Sequence, residues 1–396
     1  MAQATIEEPH REEVRLMEAL RQTPELLERL RNLSGSELSK QKALRDEYPD
    51  DLVRAALSLH EARSKAAGLL PEAEKLWLTR TGLEQSTSWE VARHKARRFP
   101  AGSTVCDLCC GIGVDASAIA VACRVNAFDL SPAMVLRTLW NSELWNVRAQ
   151  LEASIADVAA DDWSGKLVHA DPDRRGQQDR PTKRLELYQP GLEWMQRLVQ
   201  TASGGAIKIS PASNFQQKFP GTEIELISLH GECREATVWF GSLAGSDAFR
   251  ATVLPTGETI SADPLSAWTN VAAEPGTFFF DPDPALVRSG LVDVFAEQQN
   301  LQRLDREEEY LTGDSIPASA FVTAFEVEAV LPNSPKELRR HLRDKPSRYY
   351  EVKCRHIPTN ADTLRRQLPT GDAEPRVIIV CRISGRSHLV VARRVS

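Results

Sequence analysis

The chain has 396 residues, a net charge of −6, and 42% apolar and 26% charged side chains, the balance of an ordinary soluble protein with two or three domains. No apolar run approaches the roughly 20 residues that a membrane span needs, and no basic segment followed by an apolar one opens the chain. The seven cysteines lack the paired spacing of a secreted scaffold, so a cytoplasmic setting with no membrane partner is expected.

Residues 1–100 read as helical. Leu26, Leu27, Leu30 and Leu33, then Leu52, Val53, Ala56 and Leu57, recur with the helix period. Thr87-Ser-Trp-Glu90 reads as a capping box opening a helix that ends near Phe99-Pro100. Next, Thr104-Val-Cys-Asp107-Leu runs as a short apolar strand into a turn carrying Cys109, Gly111 and Gly113, and a helix follows. Glycines there let a ligand approach the backbone, and the N–H groups at the helix start favour an electron-rich partner.

A second strand ends at Asp129, 18 residues after Gly111. A carboxylate there suits a ribose diol, and the spacing fits a dinucleotide and a sulfonium nucleoside equally. Ser154-Ile-Ala-Asp157 offers an acid at a third strand end, placed for an adenine edge. Leu167-Val-His-Ala-Asp171-Pro172-Asp173-Arg174-Arg175 is a buried strand ending in Asp-Pro, which has no regular role in a dehydrogenase. Gly205–Pro211 is a fifth strand, and Ile224–Phe240 reads as a hairpin turning at Gly231.

Beyond residue 245 the pattern predicts a hairpin near Arg250–Ile260 and a helix over Pro284–Gln299. The tail predicts strands at Ala324–Leu331, Tyr349–Cys354, Arg376–Ile383 and His388–Val395, with helices at Ser334–Arg343 and Asn360–Leu368. Residues 336–396 hold 15 Lys and Arg against 6 Asp and Glu, a net of +9, which leaves −15 for the rest. A basic module on an acidic body suits a polyanion held at one end.

On Asp107-Leu-Cys-Cys-Gly111-Ile-Gly113, Asp129-Leu-Ser-Pro and Asn141, the stretch 104–175 resembles the class I S-adenosylmethionine-dependent methyltransferases. Within that group it is similar to the trimethylguanosine synthase-like RNA methylases. Leu78–Thr87 is similar to the helical lid that such enzymes carry, and 322–396 resembles the THUMP-like domain of a bacterial branch. The resemblance implies an α/β fold with a Rossmann-like, seven-stranded sheet, an N-terminal helical lid and a small α+β C-terminal domain. The implied divisions are a helical region 1–100, a donor-binding domain 101–245, a connecting region 246–321 and the THUMP-like domain 322–396. The predicted hairpin around Gly231 agrees, because this fold closes its sheet with one antiparallel strand.

The resemblance also implies S-adenosylmethionine as cofactor. Asp107, Gly111 and Gly113 would hold its methionine end, Asp129 its ribose and Asp157 its adenine, with Gln85, Thr87, Cys109 and Leu130 completing the donor site and no metal. Asp171 and the Pro172 carbonyl would face the methyl acceptor, and Arg174 and Arg175 would neutralise phosphate. The implied reaction is direct displacement onto a nitrogen of a structured RNA gripped by the basic tail. Amine-directed members usually carry an aromatic residue after Pro-Pro, whereas Asp173, Arg174 and Arg175 stand here. Asp-Pro-x-Arg also resembles the loop of uridine carbon-5 methylases, but no cysteine lies between Cys123 and Cys233 to act as their nucleophile. A protein or small-molecule methyltransferase, a non-catalytic RNA-binding protein with a donor pocket and a nicotinamide oxidoreductase stand as alternatives.

Other features take plainer readings. Cys106, Cys109 and Cys110 lack a second ligand cluster and read as small apolar fillers. Asp281-Pro-Asp-Pro284 reads as a turn or helix start, and Trp77, Trp89, Trp140 and Trp145 as packing residues of predicted helices. Lys208 on the fifth strand has two readings, one facing the transfer site and one, the more common for a lone lysine, as an anchor at the sheet edge.

Overall fold

A computed structural model describes residues 8–175 and 181–395. Contacts divide the chain into two units, Met1–Thr222 with Glu235–Gly245, and Glu223–Arg234 with Ser246–Ser396. No helix among the described residues is long and apolar enough to cross a membrane.

The first unit opens with the expected helices: α1 Glu8–Gln22, α2 Pro24–Asn32, α3 Glu37–Arg45, α4 Asp50–Ala66, α5 Arg80–Gln85 and α6 Trp89–Ala96. Their apolar stripes converge, so that Leu26, Leu30, Leu44, Val53 and Leu57 are buried in one core. The same core takes in Ile112, Val114 and Ala118, which seats the helical layer on the helix α7, Val114–Ala120. Each fully buried leucine contributes about 1.5–3 kcal/mol to that seating. The predicted capping box at Thr87 does not form. Ser88 is the N-cap of α6 and makes no side-chain cap bond. The Thr87 hydroxyl instead donates to Asp115 at 2.6 Å, a buried bond to a carboxylate and hence stronger than a neutral cap.

Six strands follow in this unit: β1 Thr104–Leu108, β2 Arg124–Asp129, β3 Leu151–Ile155, β4 Leu167–Ala170, β5 Gly204–Ile209 and, after an excursion into the second unit, β7 Glu232–Gly241, whose residues from Glu235 on lie here. The first five pair in parallel in the order 3-2-1-4-5, and β7 follows antiparallel to β5. Two further helices, α8 Pro132–Leu144 and α9 Leu192–Thr201, complete the alternation. This is the expected Rossmann-like order. The remaining expected strand, β6 Glu223–Leu229, groups with the second unit. Trp77 and Trp145 lie outside the helices predicted for them, but they pack as expected: Trp77 meets Trp140 edge-on at 4.6 Å, and Trp145 lies 5.1 Å from Trp89.

In the second unit β6 runs parallel to β8 Phe249–Leu254, which turns back antiparallel as β9 Glu258–Ala262. The predicted helix over 284–299 is two, α10 Pro284–Ser289 and α11 Val292–Gln298, because Gly290 adopts a left-handed conformation between them. Asp283 caps α10 through the Ala285 N–H, as its Asp-Pro context suggests. Seven strands form one sheet, built from β10 Phe278–Pro282, β11 Gln302–Arg303, β12 Leu311–Gly313, β13 Val322–Pro332, β14 Tyr350–Cys354, β15 Arg376–Ile383 and β16 Arg386–Arg394. The tail's sheet therefore draws on strands upstream of residue 322. Helices α12 Pro335–Leu342 and α13 Ala361–Arg366 pack Leu338, Leu342 and Leu364 against Ile378, Val380 and Val391.

At the mouth of α7, Gly113 sits at φ +83°, and a Cβ there would meet Thr138 at 2.9 Å. Gly102 has φ +77° but open space around it. Gly113→Ala should therefore lower the unfolding free energy by about 2–4 kcal/mol in chemical denaturation, against about 1 kcal/mol for Gly102→Ala. Equal costs would show that Thr138 yields freely.

Candidate active site

The loops at the carboxyl ends of β1, β2, β3 and β4 surround a cavity of about 620 Å³. Ligands of open parallel sheets gather at such ends. Gln85, Thr87, Asp107, Cys109, Gly111, Asp129, Leu130, Asp157, Asp171, Pro172 and Arg174 all line it, as the sequence reading places them. Gly113 does not. It stands behind the wall, where its missing Cβ makes room for Thr138.

The β1–α7 turn is held in a strained path. Cys109 has φ +66° and Gly111 φ +56°, and a Cβ on Gly111 would find nothing within 4 Å. Asp129 fixes this path from the next strand, with Oδ2 accepting from the Gly111 N–H and Oδ1 from the Ser131 N–H, both at 2.9 Å. Burial raises the Asp129 carboxyl, and the two backbone donors oppose that rise. Asp157 is exposed and caps its own turn through the Ala159 N–H at 3.0 Å. Leu130 leaves an apolar side chain 67% exposed at the rim. Burial, helped by Asp129, pushes the Cys109 and Cys110 thiols well up, so neither is poised as a thiolate nucleophile.

Beneath the turn lies a charge network that sequence reasoning missed. Lys95 of α6 is 1% exposed, and its ammonium donates to Glu235 at 2.7 Å and Asp115 at 2.9 Å. It also lies 3.3 Å from His169 Nε2. An ammonium can only donate, so in the neutral ring Nε2 accepts and the proton sits on Nδ1, facing Asp107 Oδ1 at 2.6 Å. Against burial and Lys95, Asp115 and Asp107 hold the imidazole above its ordinary value. The other Asp107 oxygen is buried, with no partner among the described residues. Burial raises the Asp107 carboxyl, opposed by His169. Burial would also raise Asp115, but Lys95, His169 and Lys208 with the Thr87 hydroxyl together outweigh it and hold that carboxyl far below its usual range. Burial alone would depress Lys95, and its two carboxylates reverse this and drive it upward. Asp115 lies two residues after Gly113 and His169 two before Asp171, so their places were visible. Lys95, on a helix of ordinary amphipathic pattern, carried no signal.

At the β4 end, Asp171 Oδ2 accepts from Lys208 at 2.7 Å, and the same ammonium donates to the Gln85 carbonyl at 2.6 Å. Lys208 is 8% exposed, so it belongs to the site and does not anchor a sheet edge. The Gln85 amide donates to Asp173 at 2.6 Å, which ties the end of α5 to the Asp-Pro loop. Arg174 faces the cavity, whereas Arg175 donates to Glu84 at 2.6 Å and is already neutralised.

Comparison with known proteins follows this geometry. An S-adenosylmethionine-dependent methyltransferase of Mycobacterium tuberculosis, itself described as uncharacterized, is 33% identical over 347 residues, spanning 85% of this chain and 93% of the relative. The chain belongs to the S-adenosylmethionine-dependent methyltransferases. A methyltransferase from a second strain of that organism matches with the same identity and coverage. A crystal structure of a candidate methyltransferase from Porphyromonas gingivalis W83 shares the fold at 18% identity and TM-score 0.72, over 88% of this chain and 92% of that one. Residues 322–394 match the family described as THUMP domain-like. The cofactor of this methyltransferase is thus S-adenosylmethionine, and the cavity fits it. The buried, unpartnered Asp107 oxygen suits an ammonium, and the open approach at Gly111 suits a ligand against the backbone.

Lys95→Met would leave Asp115 and Glu235 buried without their cation and should cost about 3–5 kcal/mol near neutral pH. The pH dependence separates this from a packing loss. In the wild type the lowered Asp115 carboxyl adds stability above its unfolded value, and that stability is lost as pH falls. In the variant the buried Asp115 carboxylate, without its cation, takes up a proton more readily than in the wild type, so acidification costs the variant less. Denaturation at stepped pH should show the deficit narrowing from pH 7 towards about pH 4. A constant deficit would refute the electrostatic account.

Proposed function

We propose that this methyltransferase transfers a methyl group to a nitrogen of a structured RNA by direct displacement. The observation that carries the reading is Asp171, half-buried at the mouth of the cavity. Its Oδ2 is fixed by Lys208, and Oδ1 has no hydrogen bond among the described residues. An oxygen so placed accepts a hydrogen bond from an N–H and turns the nitrogen lone pair towards the donor. The same hydrogen bond then gives the surplus proton a route out.

When bound, S-adenosylmethionine supplies a methyl group on a sulfonium, already electrophilic, so the protein's task is alignment. In this proposal Asp107 and the Gly111 turn hold the methionine end, Asp129 the ribose diol, and Asp157 with Leu130 the adenine. Gln85 and Asp173, joined to each other, cover the site. Arg174, whose side chain has no hydrogen bond or ion pair among the described residues, meets a phosphate or stacks on a base in this proposal, in place of the aromatic residue common in amine-directed relatives.

RNA is favoured over protein or metabolite by the second unit. Many of the tail's cations are paired, Arg355 with Asp281 and Arg394 with Glu351 among them. Lys336, Arg339, Arg343 and Lys345, on and just after α12, are exposed and have no ion-pair partner among the described residues, which suits a polyanion.

Asp171→Ala should abolish transfer while donor affinity by calorimetry stays within about tenfold, roughly 1.4 kcal/mol. Asp129→Ala and Gly111→Val should weaken donor binding itself. Loss of donor binding in Asp171→Ala would move that residue from the reaction to the cofactor. For the substrate, labelled donor is incubated with total RNA, protein and metabolite fractions, and label should enter RNA. Label in another fraction alone refutes the RNA reading. Joint replacement of Lys336, Arg339 and Arg343 by Glu should then lower RNA affinity and flatten its logarithmic salt dependence by about 0.7–0.9 per lost phosphate contact.

A further inference from the structure

A second cavity, of about 330 Å³, lies among the N-terminal helices and shares no lining residue with the donor site. Leu27 and Arg31 of α2, His60 and Arg63 of α4, and the segment 67–74 after α4 wall it. Its cations are only weakly opposed. The side chains of Arg31 and His60, and of Lys40 on the neighbouring α3, have no hydrogen bond or ion pair among the described residues. Arg63 is fixed in place, with Nε donating to the Leu76 carbonyl and Nη2 to the Lys75 carbonyl, both at 2.8 Å. Neither bond neutralises its charge.

The two carboxylates at the rim do little to offset this cluster. Glu72 is taken by Lys75 at 2.5 Å, and the same ammonium lies 3.9 Å from Glu74. The cations therefore act on one another. Burial and then Lys40, Arg63 and Arg31 pull the His60 imidazole below its ordinary value. Burial and then Arg31 push the Arg63 guanidinium down to about 10, with only Glu74 opposing. Like charges gathered around a hollow destabilise the folded chain, and an anion in the hollow reverses that cost. Two guanidinium groups and an imidazole supply N–H donors of the kind that recognise tetrahedral oxyanions.

We propose that this cavity is a phosphate site, taking one phosphate group of a polynucleotide backbone or a free phosphate ion. The site stands apart from the methyl-transfer chemistry and does not depend on which substrate is methylated. Arg31 and His60 contact the oxyanion from opposite helices, Arg63 supplies charge from the floor, and Lys40 adds to the field from α3.

The test follows His60 itself. The imidazole resonances of the full-length protein, assigned by their loss in His60→Gln, are titrated with pH in sodium chloride, in inorganic phosphate and with a short single-stranded RNA, at matched ionic strength. A bound anion stabilises the charged ring, so the His60 midpoint should rise by about half a unit or more over chloride. The rise should largely vanish when Arg31→Ala and Lys40→Ala are combined. A rise produced by micromolar oligonucleotide, with phosphate acting only at high concentration, assigns the group to a polynucleotide. A rise at low millimolar phosphate that RNA does not reproduce assigns it to the free ion. A midpoint unmoved by both, or a rise that survives the double replacement, overturns the site. Neither result bears on the RNA-methylation reading, which is scored by where the label goes.

Discussion

One buried ammonium organises the floor of the donor cavity. Three carboxylates, Asp107, Asp115 and Glu235, are nearly or wholly out of solvent there, and they arrive on β1, α7 and β7. Lys95 neutralises Asp115 and Glu235 directly and reaches Asp107 through the ring of His169. By donating to Nε2 of the neutral ring it also selects the tautomer whose Nδ1–H holds Asp107 Oδ1, and the other oxygen stays without a partner among the described residues. Asp107 thus owes its orientation to a side chain on a helix of the N-terminal layer. Lid, loop and sheet are coupled by charge as well as by apolar contact, because the network cannot be half-formed at low cost.

Most of the fold was legible because its parts are periodic or punctuated. The helical stripe at Leu26 and Leu30, the apolar strand into Asp107 and the turn at Gly231 each carry a local physical signature, and each lies where that signature puts it. Departures had two sources. At Thr87 a tertiary partner outbids a local preference, since the residue gives up a cap for Asp115, and at Gly290 a local left-handed backbone interrupts a pattern that otherwise continues as helix. The sheet of the second unit was only half visible, because β11 and β12 are two and three residues long and too short to show alternation.

The site was legible along strand ends and illegible between elements. Asp129, Asp157 and Asp171 sit where parallel strands terminate, so topology alone brings them to one cavity. Gly113 looks like Gly111 in sequence, yet only Gly111 faces the ligand space, a distinction that rests on Thr138 from α8. Lys208 has two readings in sequence, since one lysine in an apolar strand does not announce the Asp171 and Gln85 oxygens that flank it. Lys95 and Glu235 are 140 positions apart and meet only through the fold, which no spacing argument reaches.

The path of the backbone between the two units has its own consequence. The chain leaves the first unit at Thr222, returns at Glu235 and leaves again after Gly245, so three peptide junctions join the units. Severing the polypeptide anywhere in the last of these passages separates β6 from the rest of its own unit, while the earlier ones strip β7 from the donor-binding sheet. No single cut at these junctions therefore yields two fragments that each hold one whole unit. During synthesis, too, the donor-binding sheet waits for residues that emerge only after a piece of its neighbour has been made.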